Sequence, residues 1–175
     1  YNAFSSINYP DIAVIQDSRI VFYIDDKNHV TDRIRFYHQL DDRVFLLKLI
    51  PGSSGAIIDS LAETTDALII ESFGVGGLPD YGDDEFYQAI KRFVEKGKIV
   101  IMATQVTHEG SDMSVYQVGK MIKREFSLLE SYDMTLEATV AKTMWALQES
   151  QDSEGFREKF YKKINHDIMF SPEQN

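Results

Sequence analysis

The sequence predicts an α/β domain of three layers, a small parallel sheet of about four strands flanked by helices. Three observations predict it. Short, largely apolar runs stand at 44–50, 67–70 and 99–103, the pattern of strands covered on both faces. Between them, apolar residues recur at three- and four-residue spacing, which marks helices with one buried face. Strands alternating with helices at this interval imply right-handed βαβ units, hence parallel strands in a Rossmann-like arrangement.

Each element follows in order. Residues 1–10 are turn-rich and aperiodic, and read as an arm or linker. The β-prone runs 20–24 and 34–37 flank the polar stretch 25–32, which predicts a hairpin or two loosely paired strands. The run 44–50 closes on Pro51-Gly52, a turn signal. Ser53 or Ser54 is placed to cap a helix carrying Ile57, Ile58 and Leu61 on one face. After the strand 67–70 and a glycine-rich turn, Asp83 or Asp84 is placed to cap a helix with Phe86, Ile90, Phe93 and Val94 in register. Lys96-Gly97 ends that helix. The strand 99–103 follows, and Val115, Val118, Met121 and Ile122 mark a third helix. Residues 126–129 read as a short fourth strand. Thr135 caps a helix with Leu136, Val140, Met144 and Leu147 on one stripe. Ser153 starts a last helix through Phe156, Phe160 and Ile164, and the tail after Phe170 frays.

At 175 residues, 43% hydrophobic and 26% charged, the chain has the composition of a globular domain with a real core. Its formal net charge of −10 repels phosphate backbones, which disfavours nucleic acid and anionic membranes as partners. No apolar stretch reaches the roughly 18 residues of a membrane span, and no signal-peptide pattern opens the chain. The absence of cysteine removes disulfides, thiolate metal sites and a cysteine nucleophile, and fits an intracellular location. The histidines His29, His38, His108 and His166 show no metal-ligand spacing. The chain begins at Tyr1 rather than methionine, which predicts a processed protein or a piece of a longer one.

The turn after the second parallel strand, Ser72-Phe73-Gly74-Val75-Gly76-Gly77-Leu78-Pro79, is the first place to look for a site. Ligands of open α/β sheets sit beyond the carboxyl ends of the strands, and glycine lets backbone approach a ligand closely. A dinucleotide fingerprint would need a third glycine where Pro79 stands, and proline has no amide hydrogen for a phosphate. Asp25-Asp26 at a strand end invites a magnesium-binding acidic pair, but the turn-like residues after it favour a solvated loop. Thr104, His108, Glu109 and Asp112 lie within nine residues. A nucleophilic triad needs groups held in mutual hydrogen-bond reach, usually from separate loops, so capping and loop solvation are the better roles for His108 and Glu109. The chain offers half of a site: a ligand-facing edge without a nucleophile, its base and oxyanion donors.

Five segments resemble the C-terminal domain of the type I (cytoplasmic) L-asparaginases. Lys48-Leu49-Ile50-Pro51-Gly52 resembles that family's Lys-Leu-x-Pro-Gly strand exit. The turn 72–79 resembles Ser-Tyr/Phe-Gly-x-Gly-Asn-x-Pro. Thr104-Gln105, with Tyr116 and Gly119 downstream, resembles Thr-Gln-Cys and Tyr-x-x-Gly. Asp133-Met134-Thr135-Leu136-Glu137-Ala138, followed by Lys142-Thr143-Met144-Trp145, resembles Asp-Met-Thr-x-Glu-Ala with Lys-x-Met-Trp. Ala3-Phe4-Ser5-Ser6-Ile7-Asn8-Tyr9-Pro10 resembles the segment joining that family's two domains. All quoted residues stand in this order in the chain.

The resemblance implies a parent that hydrolyses L-asparagine to aspartate and ammonia through a threonine-bound acyl intermediate, without metal or other cofactor. It implies residues 1–40 as interdomain arm and hairpin, 41–170 as the C-terminal domain, and an N-terminal catalytic domain absent from this chain. The partners implied are L-asparagine, that N-terminal domain and further copies in a cytoplasmic homo-oligomer, with active sites near subunit interfaces. The implied substrate-proximal residues are Ser72, Gly74, Gly76, Gly77, Thr104 and Asp112, with no catalytic residue in the chain. Two departures bear on this: Gly77 replaces the family's asparagine, and Val106 its cysteine. Some members carry an arginine before the Ser-Tyr-Gly turn that serves a regulatory asparagine. Glu71 stands there, suited to repel a carboxylate or to pair with a nearby lysine. Two other readings are a tRNA-dependent amidotransferase subunit and a module binding a small amino acid.

Overall fold

The computed structural model describes residues 6–24, 34–79, 84–115 and 117–170, with the side chains of 117–121 outside that description. Asp25, Asp26, His29, Asp83, Tyr116 and the tail beyond Phe170, all named above, lie outside the described residues. Four strands form one parallel sheet in the order β3 (Val44–Lys48), β4 (Ala67–Ser72), β5 (Ile99–Thr104) and β6 (Leu129–Glu130). Between them run α1 (Ala56–Leu61), α2 (Glu85–Glu95) and α3 (Gln117–Phe126), and α4 (Leu136–Glu149) and α5 (Ser153–Tyr161) follow the last strand.

Strand parity divides the core in two. On β4 and β5, Leu68, Ile70, Val100 and Met102 face Ile58, Phe86, Ile90, Phe93 and Ile122 of α1–α3. Ile69, Ile101 and Ala103 point the other way, against Ala146, Phe156, Phe160 and Tyr161 of α4 and α5. Successive side chains of a strand alternate faces, so a strand apolar at every position needs a helix layer on each side. Strand order follows chain order, and right-handed crossovers then carry α1–α3 over one face. The opposite face is left to α4 and α5. The result is the predicted three-layer α/β domain.

Local chemistry sets the helix ends. The N-cap of α1 is Gly55, without a side-chain cap, although the Ser54 hydroxyl accepts from the Ala56 amide at 3.2 Å just ahead of it. Thr135 caps α4 by accepting from Ala138 at 3.2 Å. Asp84 sits at the start of α2 with φ 53° and makes no side-chain cap. The last helix is capped by Asp152, which accepts from the Gly155 amide at 2.7 Å, and it starts at Ser153 as expected.

Three further expectations are corrected. The hairpin is formed by β1 (Ala13–Gln16) and β2 (Arg19–Phe22), and residues 34–43 are not in a strand. The short fourth strand begins at Leu129, because Phe126 still belongs to α3. On α4 the fully buried positions are Thr139, Thr143 and Ala146, while Leu136, Val140 and Leu147 only flank the core. Thr139 and Thr143 donate their hydroxyls to the carbonyls of Thr135 and Thr139, at 2.9 and 2.7 Å. Hydroxyls satisfied inside their own helix bury much like small apolar groups.

Arg92 on α2 grips Asp59 on α1 with bonds of 2.9 and 2.6 Å. The guanidinium holds the Asp59 carboxyl below its ordinary value of 3.8. A carboxylate lowered in this way adds stability above its unfolded-state pKa, and that stability is lost as pH falls through the folded-state value. Both side chains are about half exposed (48% and 44%), so the contribution is small. Asp59→Asn is expected to lower stability slightly at neutral pH, with the gap to the parent closing in acid. Equilibrium unfolding against pH checks this, and a gap that persisted in strong acid would assign the effect to packing.

Candidate functional site

The carboxyl ends of β4 and β5 open onto a pocket of about 180 Å³. Glu71, Thr104, Gln105, Ser131, Thr135 and Glu137 supply its polar wall, and Ile7 and Asn8 of the N-terminal arm close one side. Gln105 staples the strand exits, its Nε2 donating to the carbonyls of Leu49 at 2.7 Å and Glu71 at 3.1 Å. Glu71, 8% exposed, pairs with Lys48 at 2.7 Å. Of the two fates open to Glu71, the lysine pairing is the one present.

The glycine turn folds back on itself: the Phe73 amide donates to the Gly77 carbonyl at 3.0 Å, and the Gly77 amide to the Phe73 carbonyl at 2.7 Å. Gly76 lies against Met113, where an added Cβ would meet the Met113 Cα at 3.1 Å. The Thr104 hydroxyl donates to the Gly74 carbonyl and accepts from the Val106 amide at 2.9 Å. The Asp112 amide donates to the Val75 carbonyl at 2.7 Å, while its carboxylate accepts from Ser114 at 2.8 Å. Gly74, Gly76, Gly77, Thr104 and Asp112 therefore gather on one rim beside the pocket, of which only Thr104 lines the pocket itself. Ser72 lies beneath it, fully buried, its hydroxyl donating to the Ala103 carbonyl at 2.7 Å. His108 and Glu109 are exposed on the same loop.

Sequence reasoning missed what holds that loop. Glu130, with no exposed surface, accepts from the Met113 amide at 2.8 Å and pairs with Lys123. Lys123 also donates to the Tyr132 hydroxyl at 2.9 Å. The Ser111 amide donates to the Tyr132 carbonyl at 2.8 Å, and the Tyr132 amide returns a bond of 2.8 Å to the Ser111 hydroxyl. Burial pushes the phenols of Tyr132 and Tyr161 well above the ordinary range, so both act as neutral hydrogen-bonding groups. The available signal was a single carboxylate in the apolar run Leu128-Leu129-Glu130, which must find partners if that run is buried.

The hydroxyls of Thr104 and Thr135 are committed to backbone groups, and Ser131 lies 3.4 Å from Ser111. Such a rim can position a ligand. Among the described residues, no group of three or more metal-ligating side chains occurs, and no helix is long and apolar enough to cross a membrane.

These features define an α/β domain with a pocket at the strand ends and a locked glycine turn. Residues 43–160 match the profile of the glutaminase/asparaginase C-terminal domain, and the chain belongs to that family. An L-asparaginase of Thermococcus kodakarensis is 33% identical over 171 residues, which is 97% of this chain and 51% of that protein. The structure of the thermostable L-asparaginase from Thermococcus kodakarensis superposes with a TM-score of 0.80 at 32% identity, covering 97% of this chain and 51% of that one. A glutamyl-tRNA(Gln) amidotransferase subunit from Metallosphaera sedula is 32% identical over 87% of this chain and 34% of its own length. L-asparaginase I of Vibrio cholerae shares the fold, with a TM-score of 0.77 at 24% identity over 96% of this chain and 50% of that one. The chain spans about half the length of the asparaginases it matches.

Proposed function

We propose that this chain is the C-terminal domain of a two-domain L-asparaginase, whose whole polypeptide hydrolyses L-asparagine to L-aspartate and ammonia. The observation that carries the reading is the likeness to the Thermococcus L-asparaginase, which extends over 97% of the chain. Residues 1–40 serve as the interdomain arm with its hairpin, and 41–170 as the domain proper. The rim of Gly74, Gly76, Gly77, Thr104 and Asp112 lies close to substrate at an interface between copies of a cytoplasmic homo-oligomer, and Ser72 supports it from below. The nucleophile belongs to the N-terminal domain, and no cofactor takes part.

Purified 1–175 is expected to release no ammonia from asparagine above a buffer blank, because a rim of committed hydroxyls offers no activated nucleophile. The longer polypeptide is expected to be active. Turnover by 1–175, abolished by one substitution within it, would overturn the reading. The amidotransferase relatives support a second reading, under which the longer polypeptide would act only with misacylated tRNA. The net charge of −10 disfavours RNA as a partner of this domain.

With Glu71 in place of an arginine, the whole enzyme is expected to obey hyperbolic kinetics toward asparagine. Glu71 is already paired with Lys48 and supplies no guanidinium to grip the carboxylate of an amino-acid effector, as an arginine would. Steady-state rates decide: a sigmoidal curve that survives Glu71→Gln would mean that regulation persists by another route.

A further inference from the structure

We propose that a cavity between α3 and α5 is a binding site for a phosphate group, either the free ion or a small phosphate ester. The cavity measures about 430 Å³ and is lined by Ser114, Lys123, Arg124, Ser127, Leu128 and Arg157. Three of these side chains are cationic and two are hydroxyls. Among the described residues, none that lines it is acidic. That composition stands out in a chain with 28 acidic and 18 basic residues. All six lining residues fall within 43–160, the span of the family match, so the domain itself supplies them.

Two of the cations are held from behind by buried rings. The Lys123 Nζ lies 5.1 Å from the centre of the Tyr132 ring, and the Arg157 Cζ lies 5.3 Å from that of Tyr161. The two rings are 5.9 Å apart, and the Tyr161 hydroxyl accepts from the Glu130 amide at 2.9 Å. Cation–π contacts of this kind restrain long side chains that solvent would leave free to swing. Glu130 balances the charge of Lys123, which also donates to the Tyr132 hydroxyl. An ammonium has three protons, so one remains for an acceptor in the cavity. Arg124 makes no ion pair with any described residue, and the Ser114 and Ser127 hydroxyls have no hydrogen-bond partner among them. The cavity is a set of donors in want of an acceptor.

Basic residues in the last turn of a helix offset its dipole, which accounts for Lys123 and Arg124 on α3. It does not account for Arg157, which stands mid-helix on α5 and is brought to the same cavity by the fold. Donors from α3, from α5 and from the turn at Ser114 suit a group with several acceptor oxygens around one centre. A guanidinium fork matches two oxygens of such a group at once. The volume falls within the roughly 300–1,000 Å³ of small-ligand pockets, with Leu128 as the one apolar lining residue. The acidic balance of the whole molecule does not decide what binds here, because exposed charges beyond about 10 Å are screened at ordinary salt.

Calorimetric titration of the longer polypeptide tests the proposal, at neutral pH and constant ionic strength. The probes are inorganic phosphate, glycerol 2-phosphate as an ester, and malonate as a dicarboxylate. Saturable binding of both phosphates is expected, with malonate several-fold weaker. Arg124→Gln should weaken phosphate binding about tenfold or more, the scale of one charge-assisted hydrogen bond. Arg157→Lys, which keeps the charge and loses the fork, should weaken it several-fold. Lys96→Gln makes the same change in net charge as Arg124→Gln, at an exposed position outside the cavity, and should bind like the parent. Absence of saturable binding, affinity unchanged in Arg124→Gln, or an equal loss in Lys96→Gln would each overturn the site. Malonate bound as tightly as phosphate would overturn the choice of ligand. Tighter binding of the ester assigns the site to a phosphate ester, and tighter binding of inorganic phosphate assigns it to the free ion; both support it. Binding is read without turnover, so the result stands apart from the asparaginase reading.

Discussion

Lys123→Met is expected to cost the domain about 3 kcal/mol or more, the scale seen when one partner of a buried ion pair is removed. The asymmetry of the pair is the reason. Glu130 has no exposed surface, while the Lys123 side chain is 30% exposed. Removing the lysine leaves the carboxylate buried against the Met113 amide. One neutral hydrogen bond does not offset the desolvation of a charge. Lys123 also donates to Tyr132, so the variant takes a bond from that hydroxyl as well.

The double variant Lys123→Met, Glu130→Gln separates charge from packing. It has no buried ion, so it should recover much of the loss, although the amide meets the Met113 N–H less strongly than a carboxylate does. Denaturant unfolding of the parent, the single and the double variant supplies the comparison. A single variant within about 0.5 kcal/mol of the parent would place the ion pair among those that contribute nothing measurable. A double variant no better than the single one would assign the loss to packing. The structural consequence extends to the site: Glu130 holds Met113, and Met113 lies against Gly76. Loosening this contact should loosen the rim.

How far the sequence could be read depended on whether burial followed the hydrophobic pattern. The strands β4 and β5 were legible because both their faces are covered, so no choice of face had to be made from the pattern; β3, with Phe45 and Leu46 exposed, was legible as an apolar run closed by a turn. The helix α2 was legible because Phe86, Ile90 and Phe93 are all buried at helical spacing. The face of α4 was not, since its deepest positions are Thr139 and Thr143, whose hydroxyls are satisfied within the helix. The fourth strand was placed too early because Glu130, a buried charge, belongs to it. The hairpin was mispaired because its turn, Asp17-Ser18, lacks glycine. Asp17 adopts φ 54°, a conformation for which glycine or asparagine is the usual signal. The glycine rim was legible as backbone chemistry, but the bonds that lock it come from Thr104, Asp112 and Glu130, at long separation in the chain.

Gly110→Ala is expected to be the most damaging single-methyl change in the loop that carries the rim. Gly110 has φ +72°, and a Cβ built on it would stand 2.5 Å from the Tyr132 carbonyl oxygen and 2.9 Å from its carbon. Both are backbone atoms, so no side chain can swing aside. The approach is this close because Ser111 and Tyr132 are bonded in both directions, amide to carbonyl and amide to hydroxyl. The added methyl must break that exchange or push the loop outward, carrying Asp112 away from the Val75 carbonyl. Gly97 provides the comparison, with φ +77° and nothing within 4 Å of an added Cβ. Gly97→Ala should therefore cost only the left-handed strain, about 1–2 kcal/mol. Gly110→Ala should exceed it by a further 1–3 kcal/mol, roughly the cost of overpacking. Unfolding of the two variants side by side measures the difference, and amide exchange at Ser111 and Asp112 reports whether the loop has moved. Equal losses in both variants, with exchange at Ser111 and Asp112 unchanged, would mean that the loop absorbs the methyl without disturbing the rim.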